Sequence, residues 1–220
     1  MESVPENLFS GVYGAASSMF YGTFWNCTSL KTVPGKLFSG VSGASYGMFI
    51  YTFAYSGLES VPASLFDGVS GAAEKMFFYT FAQSRNLKSI PAGLFSGVNG
   101  AANNMFELTF YACLNLIDVP DGLFANVSGT AEYMFSGTFQ QTAMTSIPEN
   151  LFGKNISGEL LNDMFTQTFK DAYYLTGPSA RIDGKYLYEI WPNATADQAG
   201  ECYNSATKLS DYDTIPDVWK

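Results

Sequence analysis

The chain of 220 residues contains no histidine and only three cysteines, Cys27, Cys113 and Cys202. Without histidine, Ser-His and Cys-His catalysis and most zinc sites are excluded. No Gly-Lys-Ser/Thr phosphate loop occurs. Asp211, Asp213 and Asp217 lack the glycine-anchored spacing of a calcium loop and read as a solvated acidic tail. No catalytic, metal or cofactor site is therefore expected, and the chain reads as a non-enzyme. Charge is scarce at 14 %, and 20 acidic residues against 11 basic ones leave a net charge of −9. That balance repels phosphate backbones and anionic lipid, so neither nucleic acid nor a membrane surface is an expected partner. Long apolar runs are missing as well. The longest, Met76 to Ala82, falls far short of the ~20 residues of a membrane span. Met1 and Glu2 lead straight into the first repeat without a signal peptide. The expectation drawn is a piece of a longer secreted or surface chain, favoured over a cytosolic protein.

What the sequence has instead is a repeat. Pro5, Pro34, Pro62, Pro91, Pro120 and Pro148 fall at spacings of 29, 28, 29, 29 and 28 residues. Self-similarity at such a period predicts a solenoid whose units bury their apolar faces only against their neighbours. Hydrophobic residues at 47 % supply a continuous core for it. Six units fill residues 1–176, and residues 177–220 form a divergent C-terminal cap. Within a unit, Leu87-Lys88-Ser89-Ile90 suits a brief strand, and Pro91 opens a short helical turn through Phe95. Gly11, Gly40, Gly68, Gly97 and then Asn126 share one column, which predicts a left-handed backbone position. Gly14, Gly43, Gly71, Gly100, Gly129 and Gly158 share a second, predicting another positive-φ turn or a close approach.

The stretch from Ala72 to Phe81 pairs Met76 with Thr80 and Phe77 with Phe81, four residues apart. That spacing predicts a helix with two stripes on its inner face. The equivalent pairs Phe20 and Phe24, Phe49 and Phe53, and Phe106 and Phe110 should stack into a spine. The threonine column, Thr23, Thr52, Thr80, Thr109, Thr138 and Thr168, fits side chains that bond the carbonyl one helical turn back. Cys27 and Cys113 lie three units apart, roughly 14 Å at about 4.8 Å per unit. A disulfide needs Cα atoms within about 7 Å, so none is expected.

Thr23-Phe24-Trp25-Asn26-Cys27-Thr28-Ser29-Leu30-Lys31-Thr32-Val33 resembles the core of the BspA-like leucine-rich repeat, Ala-Phe-x-x-Cys-x-x-Leu-x-x-Ile. Thr80 to Ile90 and Thr109 to Val119 repeat the match, and the resemblance covers about residues 3–176. This chain departs from the family in its threonine for alanine, its longer period and its lack of an asparagine ladder. The resemblance implies an α/β leucine-rich-repeat-like solenoid with short parallel strands on one face and helical segments on the other. A mostly helical solenoid is the alternative. It also implies a bacterial or protist cell-surface protein that contacts host molecules, other cells or matrix.

At the columns that vary between units, units one to four carry extra rings: Tyr21, Trp25, Tyr51, Tyr55, Phe78, Tyr79 and Tyr111. These are the candidate partner-binding residues for a protein or glycan ligand. The competing reading packs them unit against unit with their hydroxyls in water. Units five and six carry Ser136, Gly137, Gln140, Thr166, Gln167 and Lys170 there. Lys31, Glu59 and Lys88 form a side-by-side ladder of alternating sign. Trp191 and Trp219 are expected to cover the last core layer. The N-terminal side has no such cap in the sequence, so self-association through that end is a further expectation, and a stalk or assembly module is the alternative function.

Overall fold

A computed structural model describes all 220 residues. The Thr-Phe segments are not helices. In the fourth unit, alternate amides make backbone turns: Met105 donates to Ala102, Glu107 to Asn104, Thr109 to Phe106, and Tyr111 to Leu108. The intervening amides leave the unit and donate to the next one: Asn104 to Glu132, Phe106 to Met134, Leu108 to Ser136, Phe110 to Thr138, and Ala112 to Gln140. A helix would instead send every amide to the carbonyl four residues back. The cause is a left-handed residue at every fourth position, here Asn104, Leu108 and Ala112 at φ 59, 54 and 53°. The same geometry recurs in every unit, at Ser18, Gly22 and Asn26 in the first and at Lys75, Tyr79 and Gln83 in the third. The result is a ribbon of consecutive turns that repeats every four residues.

Ribbons lie one above another in tiers. Five amide-to-carbonyl bonds join each successive pair of tiers at all six junctions, from Ser18–Tyr46 through Asp171–Asn204. In each bond the earlier tier supplies the N–H and the later tier the C=O. In the second to sixth tiers the outward amides and carbonyls of the ribbon are thereby paired without helix or sheet. Threonine adds a second tie. Thr52, Thr80, Thr109, Thr138 and Thr168 are fully buried. Each donates its hydroxyl across a junction to a phenylalanine carbonyl, as Thr109 does to Phe77 at 2.9 Å. The expected bond to the carbonyl within the same unit exists as well, at 2.8 Å from Thr109 to Phe106, but it closes a turn of the ribbon rather than a helical turn.

The expected parallel strands reduce to isolated bridges such as Ser89–Asp118 and Gly14–Val41. Regular elements are few: a 3-10 turn at Ala63–Phe66, then in the C-terminal segment strand β1 (Arg181–Ile182), strand β2 (Lys185–Tyr186), helices α1 (Leu187–Ile190) and α2 (Ala196–Ala199), and 3-10 turns at Tyr212–Thr214 and Asp217–Trp219. Near Lys88 the extended column bonds over a short stretch: Lys88 donates to Glu59, Ile117 and Asp118 donate to Lys88, and Ile90 donates to Asp118. Turn residues on either side leave no room for a longer ladder.

Phenylalanines fill the interior as three near-parallel files. Phe20, Phe49, Phe77, Phe106, Phe135 and Phe165 stack at 5.5–5.7 Å between ring centroids. Phe24, Phe53, Phe81, Phe110, Phe139, Phe169 and Tyr203 form the second file at 5.3–5.8 Å. The third begins at Phe9 and runs through Phe38 and Phe66, its rings tilted against the first file, as for Phe66 and Phe49 at 4.7 Å and 57°. Offset stacks and tilted contacts are the favoured aromatic geometries, worth about 0.5–1.5 kcal/mol per pair beyond burial.

The two glycine columns have different causes. Gly14, Gly43, Gly71, Gly100 and Gly129 have φ between 73 and 82°, and Gly158 has 121°. Gly40, Gly68 and Gly97 do not adopt the left-handed form, contrary to the expectation for their column. They lie where a Cβ would run into the carbonyl oxygen of Val12, Val41 and Val69 in the preceding tier. At the C-terminal end, Trp191 and Trp219 pack on Phe165 at 5.6 and 6.3 Å. Asp211 is no solvated tail residue: it accepts bonds from the Ser179 amide, the Ser179 hydroxyl and the Tyr188 hydroxyl. At the opposite end, the carbonyls of Ser17, Met19, Tyr21, Thr23 and Trp25 face outward without backbone donors. Leu8 and Tyr13 of the same unit are exposed.

Candidate functional site

The ribbon explains where the seven predicted rings stand. Tyr51, Tyr55 and Tyr79 occupy left-handed positions, at φ 55, 58 and 54°. Tyr21 and Phe78 follow the first phenylalanine of their ribbons, and Trp25 and Tyr111 follow the second. Both kinds of position lie outside the phenylalanine files, so rings there meet each other and the solvent.

The structure divides the seven into two groups. Tyr21, Trp25 and Tyr55 are exposed, with Trp25 keeping 58 % of its surface. With Tyr51 and Gly22 they line a hollow of about 390 Å³. Tyr21 meets Tyr51 edge-on at 6.0 Å, so the hollow has rings at its floor and wall. Tyr51, Phe78, Tyr79 and Tyr111 are half-buried. Tyr51 stacks on Tyr79 at 4.9 Å, Phe78 abuts both, and Tyr111 meets Tyr79 edge-on at 6.2 Å. Packing between tiers accounts for this second group. Burial raises the Tyr79 hydroxyl to about 12, helped by the neighbouring Tyr51, and burial also raises Tyr51. These hydroxyls stay protonated at neutral pH. Glu107 lies near enough to Tyr51 and Tyr79 to help raise both, and burial pushes its own carboxyl up, against the lowering effect of the Asn104 side-chain amide, which donates to it at 2.6 Å.

A second hollow, of about 330 Å³, adjoins the first across Tyr55 and is lined by polar groups including Asn26, Gln83, Arg85 and Asn86. Arg85 donates twice to the Gln83 side-chain carbonyl, at 3.1 and 2.9 Å, and Asn115 donates to the Arg85 carbonyl at 2.8 Å. Sequence reasoning missed this hollow because its residues come from three units and none is unusual alone. It also missed Tyr173 and Tyr174, exposed beside Leu114 and lining a third hollow of about 300 Å³. They fall in a column that no earlier unit fills with a ring.

The charge ladder is short. Lys31 pairs with Glu59, whose carboxyl is held below the usual carboxylate range first by that hydrogen bond and then by the Lys31 charge. Lys88 adds a weaker lowering effect. The cysteines are all free. Burial pushes the Cys113 thiol up to about 12, and it donates to the Phe81 carbonyl at 3.2 Å. Ser84 makes the equivalent bond to Phe53. At these two positions the column supplies a small donor that ties one tier to the next. No grouping of three or more metal-ligating side chains occurs, and no helix is long and apolar enough to cross a membrane.

No protein-family model matches the chain, and no curated protein matches it. Among solved structures it is similar to a leucine-rich cell surface protein from Faecalibacterium prausnitzii A2-165, at 15 % identity and a TM-score of 0.26, over 94 % of this chain and 71 % of that one.

Proposed function

We propose that this chain is a non-enzymatic binding scaffold, a leucine-rich-repeat-like solenoid displayed at a cell surface or secreted within a longer chain. Its ligand is a protein or glycan. One observation carries the reading: Tyr21, Trp25 and Tyr55 stay exposed together around one hollow, although the ribbons bury their phenylalanine files. Exposed aromatic clusters of this kind supply binding energy at interfaces. The test is an array of extracellular proteins and defined glycans probed with the intact chain and with Trp25→Ala. Specific signals that fall at least tenfold in the variant support the reading. An array with no specific signal, or one indifferent to the variant, overturns it.

A second reading is a stalk or assembly module. It is favoured by Leu8 and Tyr13, which the first unit leaves exposed and which suit apolar self-association through that end. Sedimentation at rising concentration distinguishes the two: reversible oligomers that disappear in Leu8→Lys support assembly, and a monomer throughout removes it.

A further inference from the structure

Tyr55 lines two hollows of opposite character. On one side are the rings of Tyr21, Trp25 and Tyr51. On the other are the side-chain amides of Asn26, Gln83 and Asn86 with the Arg85 guanidinium, and no carboxylate lines this side. Arg85 forms no ion pair with any acidic residue. Its two bonds to Gln83 occupy the Gln83 carbonyl, which leaves the amide NH2 as a fixed donor.

We propose that the paired hollows form an oligosaccharide site. The proposal rests on the reading of the exposed rings as a ligand-binding surface and names the ligand's class. A pyranose is amphipathic in the way this surface is: it presents an apolar C–H face and a rim of hydroxyls. Rings match the face, and planar amides and a guanidinium match the hydroxyls. A small number of polar groups beside an apolar wall is the usual composition of a small-ligand site. The exposed position of Trp25 lets a sugar reach the ring, and Tyr55 between the hollows places one saccharide unit on each side. A proline-rich peptide, the other ligand that favours Tyr and Trp grooves, needs apolar ridges along its length. The second hollow offers it only Tyr55.

The chain carries its own reporter, because Trp25 is exposed while Trp191 and Trp219 are 8 % and 1 % exposed. Acrylamide quenching of tryptophan fluorescence is measured while the intact chain is titrated with cello-, manno-, xylo- and chito-oligosaccharides and with a uronic-acid oligosaccharide. The expected result is saturable protection by at least one of them. Calorimetry with that saccharide should show at least tenfold weaker binding to Tyr55→Asn, a residue that tolerates the left-handed backbone, and to Gln83→Met. Tyr173→Ala should bind unchanged. Melting midpoints check that each variant folds, and Asn86→Leu replaces Gln83→Met if that midpoint falls. The assignment is overturned if no saccharide protects Trp25 at millimolar concentration. It is also overturned if loss of the polar half leaves affinity intact, or if a proline-rich peptide protects Trp25 where sugars do not. That last outcome leaves the binding-scaffold reading standing and removes only the sugar.

Discussion

Lys75 and Glu74 are chain neighbours on the third ribbon, and glycine substitution at each should move stability in opposite directions. Lys75 sits at φ 56°, whereas Glu74 is absent from the left-handed set. The left-handed conformation costs an L-residue about 1–2 kcal/mol. Glycine removes that cost but loses about 0.5–1 kcal/mol through the greater freedom of its unfolded chain. Lys75→Gly should therefore gain about 0.7 kcal/mol, within a span of about 0–1.5 kcal/mol, and Glu74→Gly should lose about 0.5–1 kcal/mol. The weak pair between the two side chains, at 3.9 Å, is lost in both variants and cancels from the comparison. Gly47 already occupies the Lys75 column in the second tier, at φ 58°, so the backbone accepts glycine there. Urea unfolding followed by far-UV dichroism reads the difference. With slopes of about 1–3 kcal/mol/M, a difference of about 1.5 kcal/mol separates the two midpoints by roughly 0.5–1.5 M. A helical segment would lose about 1 kcal/mol at both positions. Equal destabilisation by the two variants would refute the turn ribbon.

Thr109→Val keeps shape and removes a hydroxyl shared by two carbonyls, so it should cost about 1–2 kcal/mol. Thr23→Val, at an exposed site in the first tier, should stay within about 0.5 kcal/mol; paired urea titrations check both. Gly68→Ala drives a Cβ into the Val41 carbonyl and should lower the thermal midpoint, whereas alanine at exposed Gly11, with open space around it, should change it far less. Glu107 is held above its unfolded pKa by burial, so its ionisation weakens the folded state as pH rises through the folded value. Glu107→Gln should accordingly stabilise the chain at pH 7, and the gain should vanish as pH falls below the unfolded carboxylate value; melts across pH 3–8 (about the carboxylate titration range) test this. Cys113, fully buried and pushed up to about 12, should resist maleimide at pH 8 (about the usual thiol range) until unfolding, while half-buried Cys27 reacts first.

The period, the core columns and the phenylalanine files are legible in the sequence because each recurs in register. The ribbon itself is not. Two phenylalanines four apart, such as Phe77 and Phe81, fit a period of 3.6 and a period of four equally well over so short a span. A signal was nonetheless present. The left-handed columns hold Ser18, Asn26, Lys75, Gln83, Asn104, Leu108, Ala112, Gln141 and Asp171, and no β-branched residue appears among the non-glycine members. Valine, isoleucine and threonine are the residues that this conformation punishes most. The Gly40, Gly68 and Gly97 column illustrates the converse difficulty. A glycine required by a neighbour's carbonyl looks the same in sequence as one required by φ, and only the stacked tiers tell them apart. The exposed rings were legible as outliers from the repeat. The polar hollow beside them was not, since Asn26, Gln83 and Asn86 become neighbours only when three units stack.

The one-way sense of the ladder gives the molecule an electrical axis. At every junction the ribbon carbonyls point back toward the first tier and the amides forward toward the C-terminal segment. Peptide dipoles so aligned add up along the stack as they do along a helix, although hardly any helix is present. The first tier lies toward the negative pole, and five of its carbonyls take no backbone donor. At the other pole the Trp219 carbonyl takes the Tyr203 amide. Two copies meeting first tier to first tier would bring like poles together, with acceptors facing acceptors. A cation or a row of N–H donors would be drawn to that end, so the stack distinguishes its two ends by backbone alone, whatever side chains the tiers carry.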